Sequence, residues 1–125
     1  MIATDAAILI VEDESILAML LEDFLGDLGY APPAVASSVQ QALRILDAQV
    51  VTFAILDVNL GGEKSFPVAD ALDARGIPYI FMTGYGTAGV PDRLQGHYVL
   101  QKPYGADALK DALAQGGMAR DTQAG

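Results

Sequence analysis

The chain has no cysteine and a single histidine, and only 7 of its 125 residues are Lys or Arg against 16 Asp and Glu. Without thiols no disulfide framework can form, which agrees with a reducing compartment, and cytoplasm is the default expectation. A net charge of −9 and a pI near 4.2 repel phosphate backbones and anionic lipid, so nucleic acid and membrane surfaces are not expected partners. Long hydrophobic runs are missing too. The longest, Ala6 to Val11 and Ile16 to Leu21, fall well short of the roughly 20 residues that cross a bilayer. Met1 to Asp5 lacks the basic residues of an export signal. With no thiol and neither a G-x-S-x-G elbow nor a Walker glycine loop, the common nucleophilic and nucleotide-binding motifs are absent.

What remains is a chain that is 52% hydrophobic with a mean hydropathy of +0.33, enough for a sizeable core in one domain. At this length a second domain beside it is not expected. Ala7 to Val11 and Phe53 to Leu56 are short continuous apolar runs, the pattern of strands buried on both faces. Pro32 to Ala36, Ile77 to Met82 and His97 to Leu100 complete a set of five strands. Helical spacing follows each in turn. The first helix opens at Ser15 as N-cap, carries Ile16, Leu17, Leu20, Leu21, Phe24 and Leu28, and stops at Gly29. The second opens at Ser38, and the third reaches Arg75 with Pro67 in its first turn and Gly76 as its stop. A short helix is predicted within the glycine-rich stretch Tyr85 to Gly96, and the last runs from Gly105 to Ala114. Residues 115–125 read as a mobile tail after a domain covering 1–114. Strand followed by helix, five times, predicts an α/β fold with a parallel sheet between helices.

In such a fold ligands bind beyond the carboxyl ends of the strands. Glu12 and Asp13, Asp57, Thr83 and Lys102 all fall at those ends. Clustered carboxylates repel unless a cation or proton holds them, and Mg2+ suits them, because it takes oxygen ligands and keeps open positions for phosphate and water. Asp57 is then placed as a carboxylate nucleophile for phosphoryl transfer, with Asp13 beside the metal. Lys102 offers a cation, and the Thr83 hydroxyl a hydrogen-bond donor, to phosphoryl oxygens.

The segments VEDE at 11–14, ILDVNL at 55–60, MTG at 82–84 and QKPY at 101–104 together resemble the response-regulator receiver family, over Ala7 to about Ala114. The resemblance implies a CheY-like, flavodoxin-like (βα)5 doubly wound five-stranded sheet in the order 2-1-3-4-5. It also implies a non-enzyme that catalyses only its own phosphorylation and dephosphorylation. By position, Asp57 matches the phosphoacceptor, Asp13 the direct Mg2+ ligand, Glu12 an acid acting through water, and Asn59 a backbone-carbonyl metal ligand. Thr83 matches the switch hydroxyl and Lys102 the phosphate-contacting lysine, whose bond to Pro103 is commonly cis in the family. PYIFMTGYG at 78–86, after SFPVADAL at 65–72, is similar to the stand-alone FATGUY regulators, which implies a histidine kinase of HWE type as phosphodonor and a downstream protein partner. Asn59 and Tyr85, each two positions past a key residue, are placed to tune access of hydrolytic water.

One departure stands out. The aromatic switch residue expected three positions before the lysine is Val99, and Tyr98 belongs to the opposite sheet face by strand alternation. Activation is therefore expected to be read through Tyr85 and the segment Gly84 to Gly96. His97 reads as a strand residue, not a phosphodonor; Tyr79, Phe81 and Met82 read as core, and Tyr104 is balanced between packing and partner contact. Competing functions are a phosphorylation-independent interaction module and a flavodoxin-like cofactor binder, the latter opposed by carboxylates where a phosphate loop would lie.

Overall fold

The apolar runs form the strands expected of them. In a computed structural model, which describes residues 5–84, 90–94, 98–102 and 104–124 (side chains only as far as Gly116), β1 spans Ile8–Val11 and β3 Phe53–Asp57. Both are buried along their whole length. β2 is Ala34–Ala36, β6 Tyr79–Thr83 and β7 Val99–Gln101. These five pair in parallel in the order β2-β1-β3-β6-β7, with Val11 opposite Leu56 and Asp57 opposite Met82. That is the doubly wound order the resemblance implied. The register brings Val11, Asp57 and Thr83 to one end of the sheet, so the residues following them converge there.

Side-chain alternation divides the core in two. Leu9, Val11, Ala54, Leu56, Tyr79 and Phe81 face helices α2 (Val39–Ala48) and α3 (Phe66–Ala74). Ile8, Ile10, Phe53, Ile55, Ile80 and Met82 face α1 (Ser15–Asp27) and α4 (Ala106–Ala124). Val99 packs with the first set and Tyr98 with the second, the division expected from alternation.

Helix boundaries follow local chemistry. The Ser38 hydroxyl accepts from Gln41 N at 3.1 Å while Gln41 Oε1 accepts from Ser37 N at 2.8 Å, a reciprocal arrangement that satisfies free N–H groups at the start of α2. Gly29 and Gly76 take positive φ just past α1 and α3, as stops should.

Several boundaries differ from expectation. Ser15 is the first residue of α1, and the capping position is Glu14, which makes no side-chain cap. The buried stripe of α1 is Ala18, Leu21 and Leu25, leaving Ile16, Met19 and Leu20 exposed. An almost uniformly apolar helix does not reveal by periodicity which stripe the sheet will take. Between β6 and β7 the described residues hold one 3-10 turn, Asp92–Leu94, and the chain has four α-helices among those residues. Tyr85, His97, Pro103 and the glycines at 86, 89 and 96 lie outside the described residues. The last helix does not stop near Ala114 but runs to Ala124. The missing side chain of Gly116 serves packing: a Cβ there would overlap Cγ2 of Ile80.

The segment after Asp57 is a small antiparallel hairpin, β4 Asn59–Leu60 and β5 Glu63–Lys64. Its two-residue turn, Gly61-Gly62, has φ of +59° and +103°. Positive φ at both central residues is what a type I′ turn requires, and glycine supplies it without strain.

Candidate functional site

Three strand ends supply the site. β1 delivers Glu12 and Asp13, β3 delivers Asp57, and Lys102 follows β7. Carboxylate oxygens of Glu12, Asp13 and Asp57 all lie within 4.8 Å of one another. Lys102 Nζ donates to Asp57 Oδ2 at 2.8 Å and to Glu12 Oε1 at 3.1 Å. The other oxygen of Asp57, Oδ1, accepts from the backbone N–H of Asn59 at 3.2 Å. Both Asp57 oxygens are thus held, and the carboxylate is oriented by two groups from different elements.

Thr83 is 1% exposed at the end of β6, and its carbonyl accepts from Lys102 N at 2.9 Å. The pairing of β6 with β7 thereby fixes the backbone from which the lysine reaches Asp57.

Electrostatics follow from this crowding. Glu12 is 2% exposed, and burial, reinforced by the adjacent Asp57, raises its carboxyl to about 8 against the opposing pull of Lys102. Burial also works against the Lys102 charge, but hydrogen bonds to Asp57 and Glu12 hold the ammonium above the ordinary lysine value. One cation therefore serves a cluster of three carboxylates. Asp13 is exposed, with no hydrogen-bond partner among the described residues. An oxygen-only donor set with surplus negative charge and one accessible carboxylate fits a hard divalent cation. Glu12, Asp13 and Asp57 are the carboxylates that could hold such an ion, with Asn59 two residues past Asp57 in the chain.

The hairpin forms one wall of this cluster. Gly61 comes so near Asp13 that a Cβ on it would stand 3.0 Å from Oδ2. Lys64 Nζ, across the hairpin, donates to Asn59 Oδ1. Sequence reasoning named Asn59 but missed Lys64 and the role of Gly61. The adjacent glycines between short polar segments were the available signal.

On the other side of Lys102 lies an apolar cavity of about 420 Å3, lined by Leu17, Leu20, Phe24, Lys102 and Tyr104. Tyr104 sits against Phe24 with ring centroids 6.3 Å apart, and its hydroxyl meets Met82 Sδ at 3.5 Å. Of the two expected roles the structure shows packing, and the ring also lines the cavity. Tyr79, Phe81 and Met82 are core, as expected.

A parallel sheet in this order, with acids and a lysine gathered at its carboxyl ends, defines a CheY-like receiver architecture. The family model described as response regulator receiver domain matches residues 8–114, and the chain belongs to that family. Relatives agree. An NtrX-like response regulator of Rickettsia felis is 33% identical over 109 residues, covering 82% of this chain but 23% of the relative, so the chain spans about a quarter of that protein's length. Among solved structures, SdrG from Sphingomonas melonis Fr1 is 47% identical, with a TM-score of 0.79 over 90% of this chain and 97% of that one. SdrG is also known in a BeF3-activated conformation. The receiver domain of PhyR from Erythrobacter litoralis is 25% identical with a TM-score of 0.77, covering 91% of both chains. Receiver domains are signalling modules. No helix among the described residues is long and apolar enough to span a membrane.

Proposed function

We propose that this receiver accepts a phosphoryl group from a histidine kinase on Asp57 and passes the signal on through protein contacts, or drains phosphate as a sink. The observation that carries the reading is the double restraint of Asp57, which leaves a pre-oriented carboxylate beside an acid cluster short of positive charge. Phosphoryl transfer demands little more than an in-line nucleophile and neutralisation of the equatorial oxygens. Asp13, Asp57 and the Asn59 carbonyl would hold Mg2+, with Glu12 acting through water, and the ion would supply part of that neutralisation. Lys102 supplies the rest, its ammonium shifting its hydrogen bond from the Asp57 carboxylate to a phosphoryl oxygen. The Thr83 hydroxyl, at the end of β6, is a further donor of the site.

Protein contact is supported by α1. Ile16 is 72% and Met19 61% exposed, on the helix whose Leu17 and Leu20 line the cavity that Lys102 also lines. Apolar side chains standing free beside a reacting group suit a partner that covers them during transfer. With Val99 at the position of the usual aromatic switch, the response to phosphate is expected to run through the β6–β7 connection and Tyr85. A phosphotransfer screen against candidate histidine kinases, HWE types included, tests the reading, with Asp57→Ala as control. Label that appears on the wild type and persists in Asp57→Ala would overturn it.

A further inference from the structure

The hairpin after Asp57 carries a cation that the phosphoacceptor chemistry has not used. Lys64 stands opposite Asn59 in the two-strand ladder, and its ammonium donates to the Asn59 side chain. An ammonium has no acceptor, so the atom it meets must be the carbonyl oxygen of the carboxamide. The NH2 end of Asn59 is left as its available polar function. The backbone of the same residue is fixed from the other direction, by its N–H on Asp57 Oδ1.

The hairpin itself is well anchored. Its turn is a glycine pair in the type I′ conformation, closed down on Asp13, and Glu63 Oε1 accepts from Val39 N at 3.4 Å at the start of α2. Lys64 is thus presented to Asn59 from a short, braced element and not from a free loop.

The chemistry of an acyl phosphate gives this contact a consequence. In hydrolysis, a water oxygen bonds to phosphorus and the bond from phosphorus to the Asp57 carboxylate breaks. The electron pair returns to that carboxylate, the water proton passes to solvent, and inorganic phosphate leaves. Such a water is helped by an acceptor that takes a hydrogen bond from it, which orients its lone pair towards phosphorus. A carboxamide oxygen two residues from the acceptor is suited to that task, and a carboxamide NH2 is not, because it would bond to the very lone pair that must attack.

We infer that Lys64 is a positioning residue that masks the Asn59 carbonyl oxygen and so lengthens the life of the phosphoryl group on Asp57. The inference rests on Asp57 being the phosphoacceptor. Lys64 acts through Asn59, without touching the phosphoryl group. Removal of the ammonium frees Oδ1 to rotate towards the attacking water, and the acyl phosphate then decays faster.

The test loads the protein from a small-molecule acyl phosphate with Mg2+, removes the donor, and follows loss of the phosphoryl group by intact mass. Lys64→Met, close in length but without a donor, should shorten the half-life at least threefold, while Lys64→Arg, which still donates, should stay near the wild type. In an Asn59→Ala background, which keeps the backbone N–H and carbonyl, Lys64→Met should have no effect. Melting temperatures should be unchanged, since the Lys64 side chain is exposed and makes no other hydrogen bond or ion pair among the described residues. An unchanged or longer half-life in Lys64→Met overturns the inference. So does equal shortening with and without Asn59, which would mean that the charge of Lys64 acts on the phosphoryl group directly. If the wild type takes up no Asp57-dependent mass at all, the phosphoacceptor reading itself has failed, and this inference falls with it.

Discussion

Lys102 Nζ lies 2.8 Å from Asp57 Oδ2 and holds that carboxylate from the far edge strand of the β1-β3-β6-β7 run. The same ammonium also binds Glu12, so one partly buried cation neutralises acids from two strands. Removing it leaves buried carboxylates uncompensated. Lys102→Met is expected to destabilise the metal-free protein by about 2 kcal/mol near pH 8, below the roughly 3–5 kcal/mol of a fully buried pair because the lysine is partly solvated. The loss should shrink near pH 5, where Glu12 is protonated. Urea unfolding at the two pH values measures both effects.

Glu12 makes stability depend on pH. Its folded value of about 8 lies above the ordinary 4.5, so the folded state holds a proton that the unfolded chain has released. The stabilisation is complete below pH 4.5 and is lost as pH rises through the window to 8. Metal-free protein should therefore lose stability from pH 5 to pH 8, and Glu12→Gln should flatten the slope. Mg2+ favours the ionised form, so its affinity should rise across the same window, which calorimetric titration can follow.

The exposed apolar residues of α1 separate partner contact from chemistry. Ile16→Asp and Met19→Asp should leave labelling by a small-molecule phosphodonor unchanged and slow transfer from a protein kinase about tenfold or more, the scale of losing about 1.4 kcal/mol of contact. Equal loss in both assays would place these side chains in the fold instead.

Gly116 permits α4 to approach β6. Gly116→Ala gains helix propensity of about 1 kcal/mol yet must push Ile80 aside, and overpacking costs about 1–3 kcal/mol, so the net effect is expected to be destabilising. Ile80→Ala in the same chain should relieve the added strain. A double-mutant cycle by thermal unfolding reads the coupling.

The parallel strands could be read from their unbroken apolar runs, because a strand covered on both faces has few other patterns. The acids at 12, 13 and 57 and the cation at 102 were legible for a related reason: each follows such a run directly. Less was visible where structure depends on partners distant in sequence. That α1 buries Ala18, Leu21 and Leu25 and leaves Ile16 free is decided by the sheet, not by the helix's own composition. That the last helix continues past Ala114 was not legible, because the close approach of Gly116 to Ile80 spans the fold. The hairpin was hidden because its strands are two residues each, too short for alternation to show, although Gly61-Gly62 marked its turn. Lys64 was missed with it, and the pairing of Lys102 with Glu12 depends on the sheet order that brings β1 near β7.

The central claim is that Asp57 is the phosphoacceptor and that its acid neighbours hold the Mg2+ it requires. Incubation with a small-molecule acyl phosphate, followed by intact mass, tests it without any partner protein. The wild type should gain one phosphoryl group with Mg2+ and none with a chelator, Asp13→Ala should gain little, and Asp57→Ala should gain none. A phosphoryl group gained by Asp57→Ala, or gained equally by the wild type in chelator, would contradict the account.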